Sequence, residues 1–186
     1  GEMRNAFFTA HVPPSLPPSP PPPSLPSPPA QWPGALANGD FTLQADVYCD
    51  TPNDGSFKPI IALQTGLINK DCAFNLQIQN DGDINYFMGN GAGYGVSFDA
   101  GKLAAATWTH IMVQVIGTAV TVTVDGMVSG TGTFTGARQT TDSKMITVGL
   151  YEPCCGPGTS QSFVGEMRNA FFTAHVPPSL PPSPPA

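Results

Sequence analysis

Residues 107–126, TWTHIMVQVIGTAVTVTVDG, alternate apolar and polar side chains through two successive runs. Ile111, Val113 and Val115 stand around Met112 and Gln114, and Val120, Val122 and Val124 around Thr121 and Thr123. A period of two puts one set on one face of an extended chain, so each run reads as a β-strand with one buried side. Asp125-Gly126 ends the stretch with a dipeptide that tolerates the positive φ of a tight hairpin.

The pattern recurs in both directions. Phe41, Leu43, Ala45 and Val47 alternate with Thr42, Gln44, Asp46 and Tyr48, and Phe74, Leu76 and Ile78 with Asn75, Gln77 and Gln79. Shorter strands are predicted at 58–64, 84–88, 94–98, 145–149 and 163–173. Turns are predicted at Asp81-Gly82, Asn90-Gly91, Asp99-Ala100-Gly101, Asp125-Gly126 and Thr135-Gly136. No stretch shows a helical period. Nine or more short strands with frequent turns predict an all-β protein of two packed antiparallel sheets.

Around this domain the composition changes. Of 22 prolines, 17 lie in 13–29 and 177–185, which leaves about 31–176 to build one core. Proline lacks the amide donor and fixes φ, so PPSLPPSPPPPSLPSPP (13–29) is read as polyproline II, a semi-rigid rod of roughly 50 Å at ~3.1 Å per residue. A floppy linker is the alternative. An SH3-type ligand lacks its flanking Arg or Lys. Residues 1–21, GEMRNAFFTAHVPPSLPPSPP, recur letter for letter as 165–185. A window on a tandem array has this form; a cloning duplication is the competing explanation. The expected organisation is 1–12 as the final strand of a preceding repeat or a donated strand, 13–33 as linker, 34–176 as the domain and 177–186 as the start of the next linker. With Met3, Ala6, Phe7 and Phe8, residues 1–12 need a partner: the preceding unit, or a neighbouring subunit by strand addition.

Charged residues are 11% of the chain, roughly half the usual share, and the net charge is −6. Nucleic acid binding needs clustered cations, and the seven Lys and Arg are scattered. No apolar run approaches the ~20 residues of a membrane span. With no initiator Met and no signal-type n- and h-region, any signal peptide is expected outside this stretch. Four cysteines, Cys49, Cys72, Cys154 and Cys155, favour disulfides and an oxidising, extracellular compartment. Three pairings are open; a Cys154–Cys155 bridge closes a strained ring, so the expected partners of that pair are Cys49 and Cys72. Zinc is the competing reading, but no CxxC is present.

Blocks such as SPPPPS and PPSLPPSP resemble the hydroxyproline-rich glycoproteins of plant and green-algal walls, the extensin and pherophorin type. That resemblance implies hydroxylated, O-glycosylated prolines and serines. The candidates in the first tract are Pro13, Pro14, Ser15, Pro17, Pro18, Ser19, Pro20, Pro21, Pro22, Pro23, Ser24, Pro26, Ser27, Pro28 and Pro29. Those in the second are Pro177, Pro178, Ser179, Pro181, Pro182, Ser183, Pro184 and Pro185. No Asn-x-Ser/Thr sequon occurs.

GDFTLQADV (39–47), TWTHIMVQVIGTAVTVTVDG (107–126) and ITVGL…FVGEMRNAFF (146–172) together resemble the laminin-G-like, concanavalin-A-like lectin jelly roll. The resemblance implies a jelly-roll sandwich whose last strand lies near its first, so that chain entry and exit are close. It also implies two functions: a bound Ca²⁺ at a sheet rim, or a sugar site. Loop aspartates for Ca²⁺ are Asp50, Asp54, Asp71, Asp81, Asp83 and Asp99, with turn capping as their ordinary role. For sugar contact, Tyr86, Asn90 and Tyr94 offer aromatic stacking and an amide, against structural use of the same rings.

Catalysis is not expected. The Glu-x-Asp-x-x-Glu carboxylates of jelly-roll glycoside hydrolases are missing, the glutamates being Glu2, Glu152 and Glu166. Asp81 and Asp83 read as turn residues, His110 as a satisfied sheet-face histidine, and His11 and His175 as solvated repeat equivalents. Trp32 is expected to fix the domain to the rod. The expected role is a structural subunit of an extracellular glycoprotein fibre that self-associates and carries covalent O-glycans; the alternative is a carbohydrate-binding module contacting matrix polysaccharide.

Overall fold

The computed structural model describes residues 32–33, 37, 39–64, 72–139, 145–151 and 161–175. The proline tracts, residues 1–12, Asp71, Cys154 and Cys155 lie outside these residues. In chain order the strands are β1 Trp32–Pro33, β2 Asp40–Tyr48, β3 Lys58–Gln64, β4 Cys72–Ile78, β5 Asp83–Gly89, β6 Tyr94–Lys102 and β7 Thr109–Ile116. Then come β8 Ala119–Val124, β9 Met127–Thr133, β10 Met145–Val148, β11 Leu150–Tyr151, β12 Gln161–Ser162 and β13 Glu166–His175.

Two antiparallel sheets form the sandwich. One has the order β1-β10-β3-β4-β5-β6, the other β13-β2-β7-β8-β9, and β11-β12 form a small ribbon. The alternation read from sequence sets the buried layer: Phe41, Leu43, Ala45 and Val47 face Phe74, Leu76, Ile78, Ile84 and Tyr86 across it. Val113 pairs with Leu43 on one side and Val122 on the other, so the central hairpin is the middle of its sheet. Asp125 and Gly126 both adopt positive φ, 51° and 80°, as their tight turn requires. His175 pairs with Asp40, which brings domain entry and exit side by side. The Trp32 main chain pairs with Ile146 at the far edge of the other sheet.

Several strand boundaries differ from the prediction, two of them by three residues or more. Asp99-Ala100-Gly101 is not a turn but the end of β6, because Ala100 is buried and Asp99 accepts hydrogen bonds from the β4–β5 face. The last strand begins at Glu166 rather than 163. β9, MVSGTGT, runs for seven residues where only Met127-Val128 carry an apolar signal. Gly130 and Gly132 face Phe98 and Val96 of β6, and a Cβ on either would lie 2.6 Å from those side chains. A strand chosen for close approach has no side-chain period to read.

Candidate functional site

The outward positions of β4, β5 and β6 carry amides and small polar groups where an exposed sheet usually carries Lys, Glu and Thr. Because Phe74, Leu76 and Ile78 point inward, Asn75, Gln77 and Gln79 point out. Register then aligns Gln77 with Asn85, and Asn85 with Asp99. A hydrogen-bonded ladder results. Asn75 Nδ2 donates to Gln77 Oε1 (2.9 Å), Gln77 Nε2 to Asn85 Oδ1 (3.4 Å), and Asn85 Nδ2 to Asp99 Oδ1 (2.8 Å). Gln79 Nε2 donates to the same Asp99 oxygen at 2.7 Å.

Above the ladder is a cleft of about 220 Å³ lined by Phe57, Gln77, Gln79, Asn85, Phe87, Tyr94 and Ser97. Phe57 and Tyr94 are 37% and 51% exposed, and Tyr94 meets Phe87 edge-on at 5.2 Å. Asn75 and Asn85 are buried, and Asn75 Oδ1 has no hydrogen-bond partner among the described residues. Primary amides carry donors and acceptors on one head group. Lining one cleft together with two exposed aromatic rings, the amides of Gln77, Gln79 and Asn85 suit a ligand with hydroxyls on its edges and an apolar C–H face.

Of the three residues expected to contact sugar, only Tyr94 lines the cleft. Tyr86 faces the opposite way: it is fully buried between the sheets, its hydroxyl has no partner among the described residues, and burial pushes the phenol well above its ordinary range. A one-residue step along β5 separates it from the outward Asn85 and Phe87. Asn90 organises the following turn, accepting from the Ala92 and Gly93 amides and donating to the Thr135 carbonyl. Phe57, Gln77, Gln79, Asn85, Phe87 and Ser97 were not singled out from sequence. The available signal was the run of outward amides on β4.

The aspartates weighed for Ca²⁺ are dispersed. Asp54 accepts from Lys58 Nζ at 2.5 Å, and this hydrogen bond, with those from Ser56, holds its carboxyl well below the usual range. Lys58 itself is fully buried. Asp81 and Asp83 share Lys102 at 2.9 and 3.0 Å, Asp50 accepts from the Tyr48 hydroxyl, and Asp99 belongs to the amide ladder. Among the described residues no group of three or more His, Cys, Asp or Glu converges as a metal site. His110 lies on the outer face of the five-stranded sheet, its Nδ1 2.7 Å from Asp46 Oδ1. Cys49 and Cys72 are buried, Cys72 Sγ lying 3.6 Å from the Phe74 carbonyl oxygen; no disulfide forms among the described residues.

Two antiparallel sheets with an open polar cleft on one outer face define a β-sandwich of the lectin and laminin G kind. A family model described as the concanavalin A-like lectin/glucanases superfamily matches residues 26–171, and the chain belongs to that superfamily. No curated protein matches the sequence. Among solved structures, domains LG4-5 of the mouse laminin α1 chain superpose with a TM-score of 0.58 at 18% identity, covering 78% of this chain and 38% of that one. CBM40 of the Ruminococcus gnavus IT-sialidase, bound to α2,3-sialyllactose, gives 0.56 at 12% identity, covering 76% and 79%. The heptameric SAP-like pentraxin of Limulus polyphemus gives 0.52 at 17%, covering 74% and 65%. This chain thus spans less than half of the laminin structure, and at these identities the likeness is one of fold. No helix among the described residues is long and apolar enough to cross a membrane.

Proposed function

We propose that the domain is a non-catalytic carbohydrate-binding module and that the cleft over β4, β5 and β6 is its glycan site. The observation that carries this reading is the cleft in which amides of the hydrogen-bonded ladder, Gln77, Gln79 and Asn85, line the same surface as the exposed rings of Phe57 and Tyr94. The rings match the C–H face of a pyranose, and the amides match its hydroxyls. Among the described residues no Lys or Arg lines the cleft, which favours a neutral matrix polysaccharide over a sialylated or sulfated one. The sugar-bound CBM40 of similar fold supports the general class. A panel of neutral and anionic oligosaccharides, titrated with and without Ca²⁺, tests it. Binding confined to neutral sugars is expected; no binding to any saccharide sinks the reading.

A second reading is favoured by the letter-for-letter recurrence of residues 1–21 at 165–185. On this reading the domain is one bead of an extracellular fibre, carried on hydroxylated and O-glycosylated proline rods, with Cys154 and Cys155 bridged to Cys49 and Cys72. Mass spectrometry of the native protein checks it, with hydroxyproline and pentose on residues 13–29 as the expected result.

A further inference from the structure

The closing strand β13 is the part of the domain whose sequence occurs twice, and its seat is specific. It pairs antiparallel with β2 from Glu166 opposite Tyr48 to His175 opposite Asp40, with an irregularity between Arg168 and Phe171. Inside the sandwich, Phe172 stacks on Phe41 at 5.2 Å and Phe74 at 6.0 Å. Outside, Arg168 Nε and Asn169 Nδ2 donate to Asp46 Oδ2 at 3.2 and 2.7 Å, and the Arg168 guanidinium covers the Trp108 ring. His175 Nε2 lies 2.8 Å from Thr42 Oγ1. Gly165, at φ 142°, passes where any Cβ would strike the Tyr48 carbonyl oxygen. The seat therefore reads a glycine, an Arg-Asn pair, a phenylalanine and a histidine at fixed spacing.

Residues 1–12 carry that whole set in the same order: Gly1, Arg4, Asn5, Phe8 and His11. We propose that the sheet edge beside β2 accepts residues 1–12 of a second copy of this chain in place of residues 165–176, joining copies by strand donation. A second copy is favoured over the same one by geometry. In this seat His11 would lie opposite Asp40 of the accepting chain. Within one chain the 17-residue proline tract 13–29 would have to fold back on itself, whereas as polyproline II it extends roughly 50 Å. Donor strand and accepting edge are different surfaces, so repeated donation builds an open, non-closing chain of beads.

Residues 1–186 carry two equivalent strand sequences and one described seat. Exchange is neutral in contacts, and the resident strand, tethered at an effective concentration in the millimolar range, wins in dilute solution. Disabling the resident strand removes that advantage. In the chain of residues 1–186, Phe172→Asp is expected to keep a cooperative thermal transition and to form oligomers that grow with concentration in analytical ultracentrifugation. Phe8→Asp alone keeps the transition without such oligomers. The double variant Phe8→Asp/Phe172→Asp loses the transition, and a peptide of residues 1–12 restores it at one peptide per chain. If Phe172→Asp and the double variant behave alike, or if Phe172→Asp is a folded monomer at every concentration, the inference is overturned. It goes beyond the fibre reading, whose failure would show instead as unmodified prolines.

Discussion

The guanidinium carbon of Arg168 stands 4.0 Å from the centre of the Trp108 ring. The side chain is 57% exposed, yet it is held from two directions, by the ring face and by Asp46. This joins the closing strand to the central hairpin across the intervening β2. A double-mutant cycle of Trp108→Leu and Arg168→Ala, read by chemical denaturation, is expected to give a coupling of about 0.5–1 kcal/mol, the range of an exposed cation–π pair. Arg168→Lys is expected to recover only part of it, because an ammonium lacks the planar fork.

Asp46 gives the same contact a pH dependence. Burial acts to raise its pKa, but hydrogen bonds from His110, Asn169 and Arg168 outweigh it and leave the carboxyl below its ordinary 3.8. A folded-state pKa below the unfolded one contributes stability that is present above about pH 4 and lost as pH falls through the folded value. Stability measured from pH 7 downward should therefore fall on the acid side, and Asp46→Asn should make that acid limb shallower.

Tyr86 carries a buried hydroxyl with no partner among the described residues. Tyr86→Phe removes the unsatisfied group and keeps the ring in its place 6.3 Å from Phe98. The expected outcome is a gain of about 1 kcal/mol, seen as a higher denaturation midpoint at unchanged slope.

Close approach between the sheets makes a second stability test. A Cβ at Gly95 would collide with the Phe134 ring, while one at Gly93 meets nothing within 4 Å. Gly95→Ala is expected to destabilise by about 1–3 kcal/mol and Gly93→Ala to stay within about 0.5 kcal/mol, measured by thermal unfolding.

At the cleft, Tyr94→Ala is expected to weaken saccharide binding about tenfold, or ~1.4 kcal/mol, with little change in stability, since the ring is half exposed. Asn85→Ala should reduce binding and also cost about 1–3 kcal/mol of stability, because Asp99 and Gln77 lose a buried partner. Calorimetric titration paired with unfolding curves separates the two effects.

The strands and the sidedness of most of them were legible because a period of two is a local property: Val113 and Val115 face the core for the same reason that Met112 and Gln114 do not. Turn chemistry was equally local at Asp125-Gly126, where a positive φ is demanded. Legibility failed where a neighbour distant in sequence decides the outcome. β9 was largely invisible because its glycines answer to the bulk of Phe98 and Val96 on another strand. Asp99 looked like a turn because its partners lie far off in sequence, Asn85 on β5 and Gln79 just past the end of β4. The expected sugar contacts were chosen from aromatic content along one hairpin, and the pleat sent Tyr86 inward while leaving Tyr94 at the rim.

Alternation and the exact repeat, then, belong to the sequence: an all-β domain of the lectin and laminin G kind whose last strand is written twice. The cleft and the seat of that strand belong to the tertiary structure. Each needs side chains from three or more strands brought into register, and register is set by inter-strand hydrogen bonding and by the packing of two sheets, neither of which any single segment contains.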